Sequence, residues 1–149
     1  MERDLRELGR IKIDEKRQLV ISECSQKIVI SEYIDTQSYE GFTSHVVAIS
    51  KDNIELFINE TNRVLHKELQ INILKWGTSK KHDLIIKKVE KEKDNFTADK
   101  YDFRLYVNGD NYKGYTKKGL RLTRSITKQL IIFLEKYNKI VKSHGCSAV

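Results

Sequence analysis

The sequence predicts an α+β fold of two tandem ββββα units, each an antiparallel sheet closed by one helix, associated as an intramolecular pseudo-dimer. Three observations predict it. Residues 27–65 align without gaps onto residues 100–138 at a fixed offset of 73. Both segments begin with alternating apolar and polar residues, which is the period of a half-buried strand. Both end in an apolar stripe with helical spacing.

The alignment keeps identical residues as well as the apolar pattern. Two tyrosines, a glycine and a threonine coincide, with Tyr33, Tyr39, Gly41 and Thr43 falling on Tyr106, Tyr112, Gly114 and Thr116. Apolar positions stay in register through two strands and a helix, over 39 aligned residues. Such a fixed period indicates a tandem duplication within a single domain, residues 1–149.

The first unit, residues 9–70, is predicted to contain four strands and a helix. The strands are Gly9 to Asp14, Arg17 to Glu23, Lys27 to Ile34 and Phe42 to Ile49. A polar hairpin loop joins the last two strands. Ser50 is the predicted N-cap of the helix. Its apolar stripe consists of Ile54, Phe57, Ile58, Thr61, Val64 and Leu65.

The second unit, residues 71–142, follows the same plan. Its strands are Gln70 to Trp76, Leu84 to Val89, Tyr101 to Val107 and Tyr115 to Leu122, with a charged loop at residues 90–100. Asn108-Gly109 is a turn signal between the last two strands. Thr123 or Ser125 caps a helix whose stripe is Leu130, Ile131, Leu134, Tyr137 and Val141. Residues 143–149 are predicted to be a flexible tail.

Composition excludes several classes of protein. The chain has 149 residues, of which 39% are hydrophobic and 33% charged, enough for one domain with a core. No apolar run approaches the ~20 residues of a membrane span, and the first residues lack a signal-peptide pattern. The protein is therefore expected to act without a membrane, in the cytoplasm, or with the nucleoid in a bacterium.

Cysteine and histidine usage predicts no cofactor and no metal. Cys24 and Cys146 are far apart, so a disulfide framework is not expected. The four histidines lack paired-ligand spacing. Catalytic signatures such as a Ser-His-Asp set or a Gly-rich phosphate loop are also missing, so we expect a protein that is not an enzyme.

The positive charge is concentrated in the second half. The net charge is +7, but residues 1–75 carry 11 Lys and Arg against 13 Asp and Glu. Residues 76–149 carry 17 against 8. This asymmetry indicates a face that binds a polyanion. A lysine-rich solvated surface would give the same count, and both readings remain open here.

Strand alternation predicts which residues form that face. On the third strand of the second unit, aromatic and aliphatic residues point to the core, leaving outward Lys100, Asp102, Arg104 and Tyr106. On the fourth strand the outward residues are Tyr115, Lys117, Gly119 and Arg121. Cations interleaved with aromatic rings suit single-stranded nucleic acid, although half-solvated sheets also carry such residues. The first unit has Ser31, Ser44 and Ala48 at the positions of Arg104, Lys117 and Arg121.

Two segments carry a family resemblance. YDFRLY at 101–106, a turn, and GYTKKGLRL at 114–122 resemble the positive cofactor four family of transcriptional coactivators. The first unit, ending SHVVAISKDNIELFINETNRVL, is similar to a Pur-alpha repeat. The resemblance, which extends to the Whirly proteins, implies paired ββββα units that bind single-stranded DNA or RNA. It implies that Lys117, Lys118 and Gly119 line the binding surface beside Arg104, where the first unit has Ser44, His45 and Val46.

The predicted function is therefore binding of single-stranded DNA or RNA with low sequence specificity, in transcription or nucleic-acid metabolism. The predicted site residues are Lys100, Arg104, Tyr106, Tyr115, Lys117, Lys118, Arg121 and Trp76. Trp76 is either a core residue or a stacking platform beside lysines. The alternative function is a protein-interaction or self-assembly module whose basic face meets an acidic partner. Further homodimerisation stays open.

Overall fold

A computed structural model of the protein describes residues 5–66, 71–75, 82–89 and 100–148. Two antiparallel sheets and two helices form the fold, so the predicted α+β class is confirmed. The strands are β1 (Arg6–Lys12), β2 (Arg17–Cys24), β3 (Lys27–Asp35), β4 (Glu40–Ser50), β5 (Ile71–Lys75), β6 (His82–Val89), β7 (Lys100–Asn108) and β8 (Lys113–Thr123). Each sheet is a meander, in the orders β1-β2-β3-β4 and β5-β6-β7-β8.

The first strand lies earlier than the predicted Gly9 to Asp14, because Asp14 belongs to the turn before β2. Its Oδ1 accepts the backbone N–H groups of Lys16 at 2.8 Å and Arg17 at 2.9 Å. An aspartate that binds backbone donors two and three residues ahead favours a turn over a strand. The hydrogen bond from the Lys16 N–H, with help from Arg17, lowers the pKa of the Asp14 carboxyl.

The hairpins β3–β4 and β7–β8 make the same pairings at an offset of 73. Tyr33 lies opposite Phe42, and Tyr106 lies opposite Tyr115. A register shift precedes the tyrosine in both strand pairs. Hairpin tyrosines match too: the Tyr39 hydroxyl donates to the Phe42 carbonyl at 2.6 Å, and the Tyr112 hydroxyl to the Tyr115 carbonyl at 2.8 Å.

The helices are α1 (Ile54–His66) and α2 (Arg124–Ala148). The Ser50 hydroxyl accepts the Asp52 N–H in a short 3-10 turn, Lys51–Asn53, that leads into α1. Thr123 accepts the Ile126 N–H at the start of α2. No helix in the described ranges is long and apolar enough to cross a membrane.

The predicted stripe of α1 is confirmed, since its six residues are buried. The α2 stripe is correct for Leu130, Ile131 and Leu134, which are buried, but wrong for Val141, which is exposed. Among the residues of α2 up to Val141, the last that packs against the core is Tyr137. The helix continues through residues 143–148, where the sequence predicted a tail.

Each helix contacts the sheet of the other unit as well as its own. α1 lies against β5 and β6, and α2 lies against β1. Phe57 of α1 stacks at a tilt on Phe103 of β7, with ring centroids 5.7 Å apart. The Tyr137 hydroxyl of α2 donates to Glu23 of β2 at 3.0 Å. The result is one continuous apolar core that contains residues of both units.

Candidate functional site

The solvent face of the second sheet collects most of the predicted site residues. Register places Asp102 opposite Arg121, Arg104 opposite Gly119, and Tyr106 opposite Tyr115. We name this the basic face; it consists of Lys87, Lys100, Asp102, Arg104, Tyr106, Tyr115 and Arg121, with Lys117 and Lys118 beside them. Trp76 lies outside the described residues, as does most of the predicted loop at 90–100.

Asp102 holds the two arginines of the basic face together. Its Oδ1 accepts from Arg104 Nη2 at 2.9 Å and its Oδ2 from Arg121 Nη2 at 3.1 Å. Side-chain exposure is 7% for Asp102, 18% for Arg104 and 39% for Arg121. Asp102 therefore lies on the same face as Arg104 and Arg121, as alternation predicts, but it is buried because two guanidinium groups cover its carboxylate. The three charges sum to one positive charge.

Arg104 lies flat against Gly119. A Cβ on Gly119 would stand 2.9 Å from both Cζ and Nε of Arg104, and closer still to the carbonyl oxygen of Phe103. The guanidinium also donates from Nη1 to the Lys117 carbonyl at 3.2 Å. Glycine is needed here because a Cβ would clash with the backbone carbonyl of Phe103 and would occupy space that Arg104 fills.

A bulge in β8 presents two adjacent lysines. Between the paired positions Arg104–Gly119 and Tyr106–Tyr115, β7 has one residue and β8 has three. The Thr116 hydroxyl donates to the Leu105 carbonyl at 3.0 Å and accepts the Lys118 N–H at 3.1 Å. Regular alternation would direct one of the two lysines inward. In the bulge both Lys117 and Lys118 are exposed.

An edge-to-face tyrosine pair stands beside this bulge. The rings of Tyr106 and Tyr115 are 5.2 Å apart at 84°, a favourable aromatic geometry. Tyr115 is 46% exposed. Lys87 Nζ lies 5.3 Å from the Tyr115 ring centroid, within cation–π range. The predicted site did not include Lys87. Alternation along β6 would have placed it on the outward face, two residues after Ile85, which lies opposite Arg104.

A cleft lies where the two sheets meet at their last strands, since β4 is adjacent to β8. Its volume is about 280 Å³. Charged and ionisable residues of both units line it: Arg17, Glu32 and His45 from the first, and Lys100, Arg104 and Arg121 from the second. Arg17 is paired with Asp14 at 2.9 Å and with Glu32 at 3.6 Å. The cleft therefore borders the basic face on the side of the first unit, where carboxylates match the charge of Arg17.

In the described part of the chain, no three His, Cys, Asp or Glu side chains are grouped so that they could hold a metal ion. The ion pairs of the basic face involve one carboxylate and two guanidinium groups, a combination that binds no cation. What this face offers a ligand is positive charge, N–H donors and an exposed aromatic ring.

No family model and no curated protein matches the chain, so the resemblance to positive cofactor four, Pur-alpha and Whirly proteins stays a prediction. The fold is similar to the crystal structures of Trypanosoma brucei MRP1/MRP2, with a TM-score of 0.49, 8% identity, and coverage of 96% of this chain and 87% of that chain. It is also similar to a guide RNA-binding protein complex bound to a guide RNA, with a TM-score of 0.46, 8% identity, and coverage of 89% and 87%. At these scores neither likeness carries an argument about function, which is made from the basic face alone.

Proposed function

We propose that the protein binds single-stranded nucleic acid, RNA or DNA, across the basic face with little sequence specificity. The observation that carries the proposal is the exposed ring of Tyr115 between Lys87 and the lysine bulge of β8. Cations that contact phosphates release counterions, and an exposed ring stacks any base at about 1–3 kcal/mol. Neither contact depends on base identity, which supports low specificity.

In this proposal Lys117 and Lys118 contact phosphates, and Arg104 acts mainly as a positioning residue. Arg104 joins the Asp102 carboxylate to the Lys117 carbonyl, so it ties the bulge to the sheet. Arg121 is the more exposed arginine and faces the cleft. We therefore expect the lysines to supply most of the salt-dependent binding. The role we propose is binding without catalysis, in transcription or other nucleic-acid metabolism.

We also infer that the two units are tandem repeats that form an internal pseudo-dimer. The shared register, the two hairpin tyrosine bonds and the reciprocal packing of α1 and α2 support this inference. It predicts that residues 27–65 superpose on residues 100–138 by a rotation near twofold. An experimental structure in which those segments follow different chain paths would contradict it.

Fluorescence anisotropy with labelled oligo-U and oligo-dT, at several salt concentrations, tests the proposed function. We expect affinity to fall steeply with salt. The double variant Lys117→Ala/Lys118→Ala should lower the slope of log K against log salt by about 1.4, since each phosphate contact on a single strand contributes about 0.7. The matched control is Lys128→Ala/Lys136→Ala, which removes two exposed lysines of α2 and should leave the slope unchanged.

The same assay separates nucleic acid from an acidic protein partner. Polyglutamate offers negative charge without bases, so it should compete weakly, and Tyr115→Ala should reduce binding to the oligonucleotides only. Equal losses in the two lysine variants would contradict the assignment of the bulge. Polyglutamate that binds as tightly as oligo-U, with no effect of Tyr115→Ala, would favour the acidic partner.

A further inference from the structure

The first unit carries an aromatic pair with the geometry found on the basic face. Tyr33 and Phe42 have ring centroids 5.2 Å apart at 80°. The corresponding values for Tyr106 and Tyr115 are 5.2 Å and 84°. The pairs occupy equivalent positions at an offset of 73, and each lies on directly opposed residues of the last two strands of its sheet.

The first pair is also accessible and accompanied by a cation. Phe42 is 53% exposed. The guanidinium carbon of Arg10 lies 5.0 Å from the Tyr33 ring centroid, whereas in the second unit Lys87 lies near Tyr115, the ring that corresponds to Phe42. The hydroxyl of Tyr33 donates to Glu40 at 2.6 Å, and this hydrogen bond raises the pKa of Tyr33. The Tyr33 ring, which packs edge-to-face with Phe42, is therefore held in place by Glu40 and Arg10.

The charges around the two pairs differ. Arg10 donates to the Glu7 carboxylate at 2.7 Å, so its charge is matched locally. Where the second unit has Arg104, Lys117 and Arg121, the first has Ser31, Ser44 and Ala48. The first unit thus has the same ring geometry without the three cations that the second unit carries at these positions.

We propose that Tyr33 and Phe42 form a second base-stacking platform for the same single strand. This rests on the proposed function and extends it: the basic face holds phosphates and a base, whereas the first platform holds bases only. A strand that leaves the basic face at β8 meets β4, because the two strands are adjacent and Arg17 and Arg121 line the cleft between the sheets. The ligand is an unpaired base, recognised by its π-face.

The test is a length series of oligo-U and oligo-dT with the variant Phe42→Ala. The shortest oligonucleotides that bind the wild type should bind the variant equally well, because they fill the basic face. Longer ones should bind at least about fivefold more weakly, the lower end of the stacking range. The salt slope should not change, since no phosphate contact is lost.

Three further variants make the result specific. Leu56→Ala removes a side chain of similar exposure, 44%, from α1 of the same unit and should have no effect at any length. Phe42→Tyr introduces the ring found at the equivalent position and should retain affinity. Phe42→Leu keeps apolar bulk without a ring, so it should bind long oligonucleotides as weakly as Phe42→Ala while its melting temperature stays near the wild-type value.

The outcomes separate this proposal from the proposed function. Failure of the wild-type protein to bind any oligonucleotide overturns both. Wild-type binding with the expected loss in Lys117→Ala/Lys118→Ala, but wild-type affinity of Phe42→Ala at every length, overturns the second platform alone. So does wild-type affinity of Phe42→Leu for long strands, or an equal loss in Phe42→Ala for short and long ones.

Discussion

Replacing Gly119 with alanine places a methyl group in the space that Arg104 now occupies. The new Cβ would stand 2.9 Å from the guanidinium carbon, and its nearest neighbour would be the backbone carbonyl oxygen of Phe103. The arginine can rotate away, but it would then leave Asp102 and the Lys117 carbonyl. The carbonyl can move only if β7 and β8 separate locally. Both responses cost stability.

Overpacking of this kind costs about 1–3 kcal/mol. In a chain of this size each kcal/mol lowers the melting temperature by about 2–4 °C, so Gly119→Ala should melt about 2–12 °C below the wild type. Affinity for single strands should fall too, because the bulge that presents Lys117 loses its hydrogen bond from Arg104.

Urea unfolding followed by circular dichroism measures the change in free energy. Gly109→Ala is the matched control, since a Cβ there would meet its nearest atoms at 3.5 and 3.7 Å, in ordinary contact. We expect that variant to stay within about 0.5 kcal/mol of the wild type. Wild-type stability of Gly119→Ala would refute the close approach of the Phe103 carbonyl and Arg104 to this glycine.

A double-variant cycle isolates the contribution of the arginine. The first sheet has Ser31 and Val46 where the second has Arg104 and Gly119. Arg104→Ser should therefore relieve part of the clash when combined with Gly119→Ala, with a coupling of at least about 0.5 kcal/mol. The stability of the double variant should stay below that of the wild type, because the new Cβ still contacts the Phe103 carbonyl. Strictly additive losses would mean that the two side chains do not share the space.

Three other outcomes are expected. Asp102→Asn should lose about 1–2 kcal/mol in urea unfolding, because Arg104 and the more exposed Arg121 lose their shared carboxylate, and the removed negative charge should steepen the salt slope of oligonucleotide binding. Asp14→Ala should cost about 1 kcal/mol at pH 7. Because the folded pKa of Asp14 is lowered, this contribution is complete above the unfolded pKa of about 3.9 and is lost as the pH falls through the folded pKa. Unfolding curves measured from pH 7 to pH 2 should therefore show that the difference in unfolding free energy between the Asp14→Ala variant and the wild type decreases below about pH 4. Thr61→Val should gain about 1 kcal/mol by calorimetry, since the buried Thr61 hydroxyl has no hydrogen-bond partner among the described residues and the equivalent position holds Leu134.

Much of the strand register follows from the sequence, because a slip of one residue would expose one whole face of each strand. That constraint places Tyr106 and Tyr115 on the same face and buries Phe103. The α1 stripe is equally determined, since Phe57, Ile58 and Leu65 can be covered only from one side. These features depend on apolar periodicity, which is a local property that can be recognised in the sequence alone.

The bulge and the buried carboxylate depend on hydrogen bonds that periodicity does not encode. The bond from Thr116 to the Leu105 carbonyl lets β8 carry extra residues, and only then do both lysines face solvent. Asp102 and Arg104 share one face of β7, as alternation predicts. The burial of Asp102 also requires that the strand register place Arg121 of β8 opposite it. An amphipathic stripe also indicates that one face of a helix packs against a sheet. It does not identify which of the two sheets that is.

The reciprocal packing of the helices has a consequence for the order of folding during synthesis. β1 leaves the ribosome early, but α2, which packs against it, is synthesised after the eight strands of the described residues. Until then the core to which Leu19, Ile21 and Ile30 of the first sheet belong lacks the residues that α2 contributes, among them Leu130 and Leu134. The first unit is therefore expected to fold only after the second has been synthesised. Both units should then fold in one cooperative step that depends on contacts between residues distant in sequence. A nascent chain halted before α2 would expose that surface and be prone to aggregate.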